Sequence, residues 1–243
     1  MSTLLVINPN TSVTVTAMLQ HHVHQALGPT VQVRTLTARF GATYIASEAS
    51  YAVAHHAVLD AWAVAVSQGP SPDAVLIGCF GDPGLFALRE GAGVPVGGLA
   101  DAAFAAAARY GRFAIVTGGE RWRPMLERLA VSLGHGAALA GIHTVAPSGS
   151  ELAAEPARAR RLLTQACQEA AARFDAQAII LGGAGLAGMA EQIAPELSLP
   201  VIDSVIAGAQ WAAEAMQQPA QRHASTNFGV TWDNLSWEMT ALR

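Results

Sequence analysis

At 243 residues, with 51% hydrophobic and 13% charged side chains, the chain is too apolar for disorder and long enough to bury one large core or two smaller ones. A formal net charge of −4, with the few basic residues scattered singly or in pairs, excludes the basic stripe that nucleic-acid binding needs. No apolar run reaches the roughly 20 residues of a membrane span, and residues 4–7 stop at Asn8-Pro9-Asn10 without a basic flank or a signal-length apolar core, so a cytoplasmic protein with no membrane partner is expected.

In chain order, short β-branched runs at residues 3–7, 31–36, 74–77, 113–116 and 178–181 predict buried parallel strands. Ala- and Leu-rich stretches of helical spacing fall at 13–26, 48–68, 100–110, 121–133, 156–174 and 206–216. Strand and helix in alternation imply right-handed crossovers and parallel sheets covered on both faces, an α/β fold.

An internal repeat divides the chain. Residues 73–81, ending Gly78-Cys79-Phe80-Gly81, resemble residues 175–185, ending Gly182-Gly183-Ala184-Gly185, and each is followed by a helix and a short strand at Pro95 or Pro200. The expected lobes are residues 1–98 plus 208–243 and residues 99–207, the last helix crossing back onto the first lobe. Ligands of open parallel sheets bind at the carboxyl ends of strands, which puts the expected site between the lobes.

Cys79 leaves a buried strand into Phe80-Gly81-Asp82-Pro83-Gly84, which reads as a helix start with Asp82 as N-cap and Pro83 at the first helical position. A helix N-terminus there favours thiolate. Cys167 lies within an amphipathic helix and reads as core. Two cysteines so far apart in a cytosol-type chain read as free thiols.

Gly183-Ala-Gly185-Leu-Ala-Gly188 fits a dinucleotide fingerprint, with Asp203 twenty residues on, but the repeat gives these glycines another role, a nest of backbone N–H groups facing a carboxylate or oxyanion. Asn8, Asn10, Thr11 and Ser12 supply both helix capping and extra amide and hydroxyl groups for a carboxylate or imide, and Thr117-Gly118-Gly119 is their counterpart in the second lobe. His21, His22, His24, His55 and His56 read as solvated helix faces, since adjacent helical residues diverge and no third metal ligand is in view, so no metal is expected.

The segments Ile7-Asn8-Pro9-Asn10-Thr11-Ser12, Gly78-Cys79-Phe80-Gly81-Asp82-Pro83-Gly84, Leu181-Gly182-Gly183-Ala184-Gly185 and Leu199-Pro200-Val201-Ile202-Asp203 together resemble the aspartate/glutamate/hydantoin racemase superfamily, nearest its hydantoin and allantoin racemase branch. The resemblance spans nearly the whole chain. It implies two Rossmann-like lobes related by a pseudo-twofold axis, an active site in the cleft between them, no cofactor, and proton transfer at a carbon next to a carbonyl through an enolate. It also implies that Cys79 is the acid/base and that Asn8, Asn10, Tyr44, Phe80, Thr117, Gly118, Gly183 and Ala184 bind a small carboxylate, amino-acid or hydantoin-like substrate. The family's second cysteine would fall at Gly183, and Gly118 stands where a second threonine is usual. A racemase-like isomerase is therefore the expected enzyme. A single-cysteine decarboxylase of malonate-type acids and a non-catalytic small-ligand-binding descendant are the alternatives, and the Ala-rich surface suits a homo-oligomer.

Overall fold

The sequence alternates short buried runs with longer amphipathic ones, and the computed structural model, which describes residues 1–146, 151, 155–217 and 228–242, turns that alternation into two parallel sheets. Chain order is β1 (Ser2–Asn8), α1 (Val13–Leu27), β2 (Val31–Thr37), α2 (Glu48–Ser67), β3 (Ala74–Ile77), α3 (Leu85–Gly91), β4 (Val96–Gly98), α4 (Leu99–Ala108), β5 (Phe113–Gly118), α5 (Trp122–Ser132) and β6 (Leu139–Val145). There follow α6 (Pro156–Phe174), β7 (Ala178–Gly182), α7 (Met189–Ile193), β8 (Val201–Asp203), α8 (Ser204–Gln217) and α9 (Trp237–Ala241). Short 3-10 turns occupy Ala184–Leu186 and Ala194–Glu196.

The sheets run β2-β1-β3-β4 and β6-β5-β7-β8, with every neighbouring pair parallel. The same strand order thus occurs twice. The chain divides into two compact units, Met1–Gly98 with Ala209–Arg243, and Leu99–Gly208. Central strands β1, β3, β5 and β7 are buried along nearly their whole length, because helices cover both faces and β-branched and leucine side chains fill both.

Glycines permit the closest packing. A Cβ on Gly97 would meet the Trp211 ring at 2.6 Å, and one on Gly78 would meet Leu19 Cδ1 at 2.6 Å, so α8 and α1 reach their sheet positions only over these bare backbones. Helix ends follow local chemistry. Ser12 caps α1 by accepting from Val15 N, and Ser47 and Ser50 form a reciprocal capping box on α2.

The sequence reading located β1, β2, β3, β5 and β7 to within two residues but missed β6. This strand lies at a sheet edge with mostly half-buried side chains, and Gly141 interrupts its apolar pattern because the Phe174 ring occupies the space of a Cβ there. Among the described residues no helix is long and apolar enough to cross a membrane.

The carboxyl-terminal segment is tied to the first unit by a charged clasp. Arg39, just past β2, donates to both oxygens of Asp60 on α2, at 2.8 and 2.6 Å, and to Glu238 on α9 at 2.8 and 3.2 Å. Ser236 adds a hydrogen bond to Asp60 at 2.8 Å. The two carboxylates are buried and the arginine half-exposed; burial pushes the Asp60 carboxyl up, but its hydrogen bonds from Arg39 and Ser236 outweigh this, and Arg39 likewise holds Glu238 below the usual range.

Candidate active site

In the first unit, β1 and β3 are parallel neighbours with Ile7 opposite Ile77, so the loops that leave their carboxyl ends start side by side. Asn8 ends β1 fully buried, and its amide nitrogen lies 3.0 Å from Asn10 Oδ1, Ser12 O and Thr16 Oγ1. It knots the loop onto α1. Asn10 differs: its Oδ1 accepts from Ser12 N at 2.9 Å and from Asn8, which fixes the amide's orientation and leaves Nδ2 with no acceptor among the described residues.

Cys79 is 9% exposed. Its carbonyl accepts from Gly81 N at 2.9 Å and Asp82 N at 3.1 Å, closing a tight turn, while its own N–H has no acceptor among the described residues. The expected helix start is displaced. Helix α3 begins at Leu85 with Gly84 as N-cap, at φ +80°, and Asp82 takes φ +49° within the turn, so neither Asp82 nor Pro83 holds the anticipated capping position. The reason is that Asp82 is buried toward β4, where a Cβ on Gly98 would lie 2.1 Å from its Cγ.

This arrangement reverses the expected thiol chemistry. Burial, and then the nearby Asp82 charge, push the Cys79 thiol well above its ordinary range, so the resting group is a neutral thiol. A seven-residue helix offers too little compensation.

Two residues that the sequence reading did not single out as functional touch this turn. Tyr51 on α2 donates through its hydroxyl to Gly81 O, and Gly84 N–H donates to His55 Nδ1 at 3.1 Å. Their rings meet edge to face at 4.6 Å. His55 is thus half-buried and engaged, not a solvated face residue; the legible signal was an aromatic and a histidine four apart on one helix face.

In the second unit, Thr117 is the penultimate residue of β5 and lies opposite Gly182 of β7. Thr117 is 5% exposed, and its hydroxyl has no partner among the described residues. Gly118 completes β5, and Gly119, at φ +91°, turns the chain toward α5. Gly183 follows β7 at φ +139°, with its N–H donated to the buried Ser204 Oγ at 3.2 Å. The N–H groups of Ala184 and Gly185 have no acceptor among the described residues. A Cβ on Gly183 would find only Leu186 atoms, at 3.8 Å, so space is available there and backbone conformation is the obstacle.

The dinucleotide fingerprint is put to another use. Asp203 accepts from Gly188 N at 2.7 Å, Val205 N at 2.9 Å and Ile206 N at 3.2 Å, anchoring the glycine turn and the start of α8. The glycines open onto a 3-10 turn and the five-residue α7, which lacks the helix length that holds a pyrophosphate.

Tyr44 is half-buried in the loop between β2 and α2, and Phe80 is buried next to Cys79. Cys167 lies in the core of the second unit, where burial raises its thiol to about 12. Among the described residues no three His, Cys, Asp or Glu side chains are grouped as metal ligands would be.

A parallel α/β unit with a buried thiol at the end of its third strand, repeated with a glycine turn at the matching strand end, defines a class of duplicated α/β proteins. Within that class the chain belongs to the Asp/Glu/hydantoin racemase family, whose model matches residues 4–212. It is 33% identical over 208 residues to hydantoin racemase of Pseudomonas sp. (strain NS671), covering 85% of this chain and 83% of that one. Allantoin racemase from Klebsiella pneumoniae superposes with a TM-score of 0.87 at 30% identity, covering 100% of this chain and 99% of that one. Arylmalonate decarboxylase shares the fold, with a TM-score of 0.63 at 19% identity over 92% of this chain and 96% of that one.

Proposed function

We propose that the protein is a cytoplasmic, cofactor-independent racemase-type isomerase that moves a proton at the carbon next to a carbonyl in a small hydantoin-like substrate, with Cys79 as the acid/base. The observation that carries this reading is the buried, neutral thiol of Cys79 on a tightly tied turn at the end of β3, next to the strand β1 from which the Asn8–Ser12 loop departs. A carbon acid of this kind is weak, and a thiolate generated in a buried place is a strong base, so the proton passes between carbon and Sγ with little mismatch. In one direction the Cys79 thiol gives its proton to the enolate carbon and becomes thiolate; in the other, Cys79 first releases its own proton to solvent, the thiolate then takes the α-proton and leaves the enolate, and inversion follows when solvent returns a proton to the opposite face of the carbon.

The negative charge that develops on the carbonyl oxygen needs fixed donors. Asn10 Nδ2, the Cys79 N–H, the Thr117 hydroxyl and the N–H groups of Ala184 and Gly185 are the unassigned donors on these turns, and Asn8 acts by holding Asn10 in place. Phe80, Gly118, Gly183 and Tyr44 are proposed as further substrate contacts.

Charge favours a neutral ring over a free amino acid or a dicarboxylate. The sequence contains no lysine, and the turns 8–12, 78–84, 117–119 and 182–188 contain no arginine, while Asp82 adds a buried acidic group beside the thiol. Arg39 is committed to Asp60 and Glu238, leaving Arg121 at the start of α5 as the adjoining cation without a partner among the described residues. Among the described residues no cation is fixed on these turns, Arg121 being exposed, whereas a desolvated carboxylate substrate would need one.

Gly183 favours a second reading, one-sided proton chemistry, because the resemblance places the family's second thiol at this position, and its φ of +139° is one that L side chains rarely adopt. Chiral chromatography of single enantiomers of 5-substituted hydantoins, allantoin, amino acids and arylmalonates distinguishes the readings. Racemisation of hydantoin-type compounds is expected; carbon dioxide release from the malonates without any racemisation would replace the proposal by a decarboxylase, and binding without turnover would replace it by a ligand carrier.

A further inference from the structure

We infer that Tyr51 and His55 form a clamp on the Cys79 turn and are positioning residues for its thiol; their effect on turnover rests on the proton-transfer reading above.

The turn from Cys79 to Gly84 is fixed at its start by β3, where Gly78 N–H donates to Ile7 O at 2.8 Å. Its internal bonds all converge on Cys79 O and Asp82 O, with Leu85 N–H reaching Asp82 O at 3.2 Å. These bonds fix the shape of the turn, and Asp82, buried against Gly98 of β4, holds one side of it. The carbonyl of Gly81 and the N–H of Gly84 point outward, and Tyr51 and His55 take one each.

The clamp's own base is rigid. Tyr51 lies in the first turn of α2, next to the Ser47 and Ser50 capping box, and its N–H donates to Ser47 O at 2.8 Å. Four residues along, His55 stacks its ring edge to face on Tyr51, so each ring restrains the other. The turn lies almost flush on this helix. A Cβ on Gly84 would be 3.0 Å from Val58 Cγ1 and 3.3 Å from His55 O, so glycine at φ +80° is what lets Gly84 N–H come within reach of the imidazole. Because Nδ1 accepts, the neutral His55 ring carries its proton on Nε2.

A thiol that is 9% exposed, on a turn held at both ends, has a defined direction. Freed from α2, the same turn would let the thiol swing, so its exposure would rise and its alignment with a substrate carbon would be lost.

The test compares Tyr51→Phe, His55→Leu and His55→Asn in the full chain. The rate of Cys79 alkylation by iodoacetamide is followed by peptide mass spectrometry, with buried Cys167 as the internal reference. Losing one clamp bond should speed Cys79 alkylation by about fivefold to tenfold, leave Cys167 unchanged, and lower kcat while KM stays near its original value. His55→Asn, whose side-chain oxygen can replace Nδ1 as acceptor, should recover most of both effects. Tyr51→Phe removes one hydroxyl and keeps the ring packing, so it remains readable even where His55→Leu fails to fold. Unchanged Cys79 alkylation, or acceleration at Cys79 and Cys167 alike, would overturn the clamp. Selective Cys79 exposure in a protein whose Cys79→Ser variant retains full turnover would uphold the clamp and sink the proton-transfer reading instead.

Discussion

The chain leaves β3 and β7 at matching places in two sheets of identical strand order, yet it does so with opposite chemistry. After β3 comes a buried thiol on a turn tied to β1, β4 and α2, with a buried carboxylate beside it. After β7 comes a glycine in a conformation that L residues rarely adopt, then backbone N–H groups that have no acceptor among the described residues, and no thiol in the turn. On the proposed reading the first turn holds and exchanges a proton, and the second offers donors to negative charge. Duplication of a fold therefore duplicates the position of a site and not its chemistry, which each strand end acquires from its own side chains.

Removing the thiol should have the largest effect on this contrast. Cys79→Ser is expected to lower turnover of a hydantoin-type substrate by about 10²-fold to 10⁴-fold, with an unchanged circular dichroism spectrum, since a hydroxyl fills the space of the thiol.

Breaking the clasp tests whether the first unit depends on its carboxyl-terminal segment. Asp60→Asn leaves Arg39 and Ser236 without their buried carboxylate and should cost roughly 2–4 kcal/mol in urea unfolding, below the full penalty for a buried pair because Arg39 is 45% exposed. The pH dependence has a definite sign. Asp60 and Glu238 are lowered on folding, so their contribution is complete above their ordinary values and drains away as pH falls below about 4. Cys79 and Cys167 are raised on folding, so stability falls as pH climbs past about 9, where the unfolded thiols ionise and the folded ones do not. Urea midpoints across pH should trace both limbs, and Asp60→Asn should blunt only the acid one.

Adding a side chain to the open turn probes the other half of the comparison. Gly183→Ala should destabilise by about 1–2 kcal/mol in thermal unfolding, from backbone strain alone, since the nearest atom to a new Cβ is 3.8 Å away. An alanine with no cost would mean that this turn relaxes easily and that its glycine is not conformationally required. The smallest effect is expected at Thr117. Thr117→Val removes one proposed donor and should lower kcat/KM by roughly fivefold to tenfold, with stability unchanged because the hydroxyl has no partner to lose among the described residues.

Much of the fold was legible because hydrophobic period and strand-end glycines survive in the sequence. Cys79, Asn10 and Thr117 stood out at the ends of apolar runs, where side chains emerge from a sheet. What stayed hidden depended on contacts between residues far apart in the chain. The burial of Asp82 against Gly98 displaced the expected helix cap, and the burial of Cys79 itself, followed by the Asp82 charge, turned the expected thiolate into a thiol. His55 looked like one of several surface histidines until Gly84 was found on its Nδ1. Asn8 and Asn10 looked equivalent, and only the hydrogen-bond pattern separates the one that ties the loop from the one with a donor to spare.

The central claim is that Cys79 moves the proton on the substrate carbon. Proton NMR in deuterated buffer, with each enantiomer of a 5-substituted hydantoin offered separately to wild type and Cys79→Ser, tests it most directly. The account predicts loss of the α-proton signal above the enzyme-free rate with wild type and none with Cys79→Ser; exchange at the wild-type rate in the serine variant would contradict it.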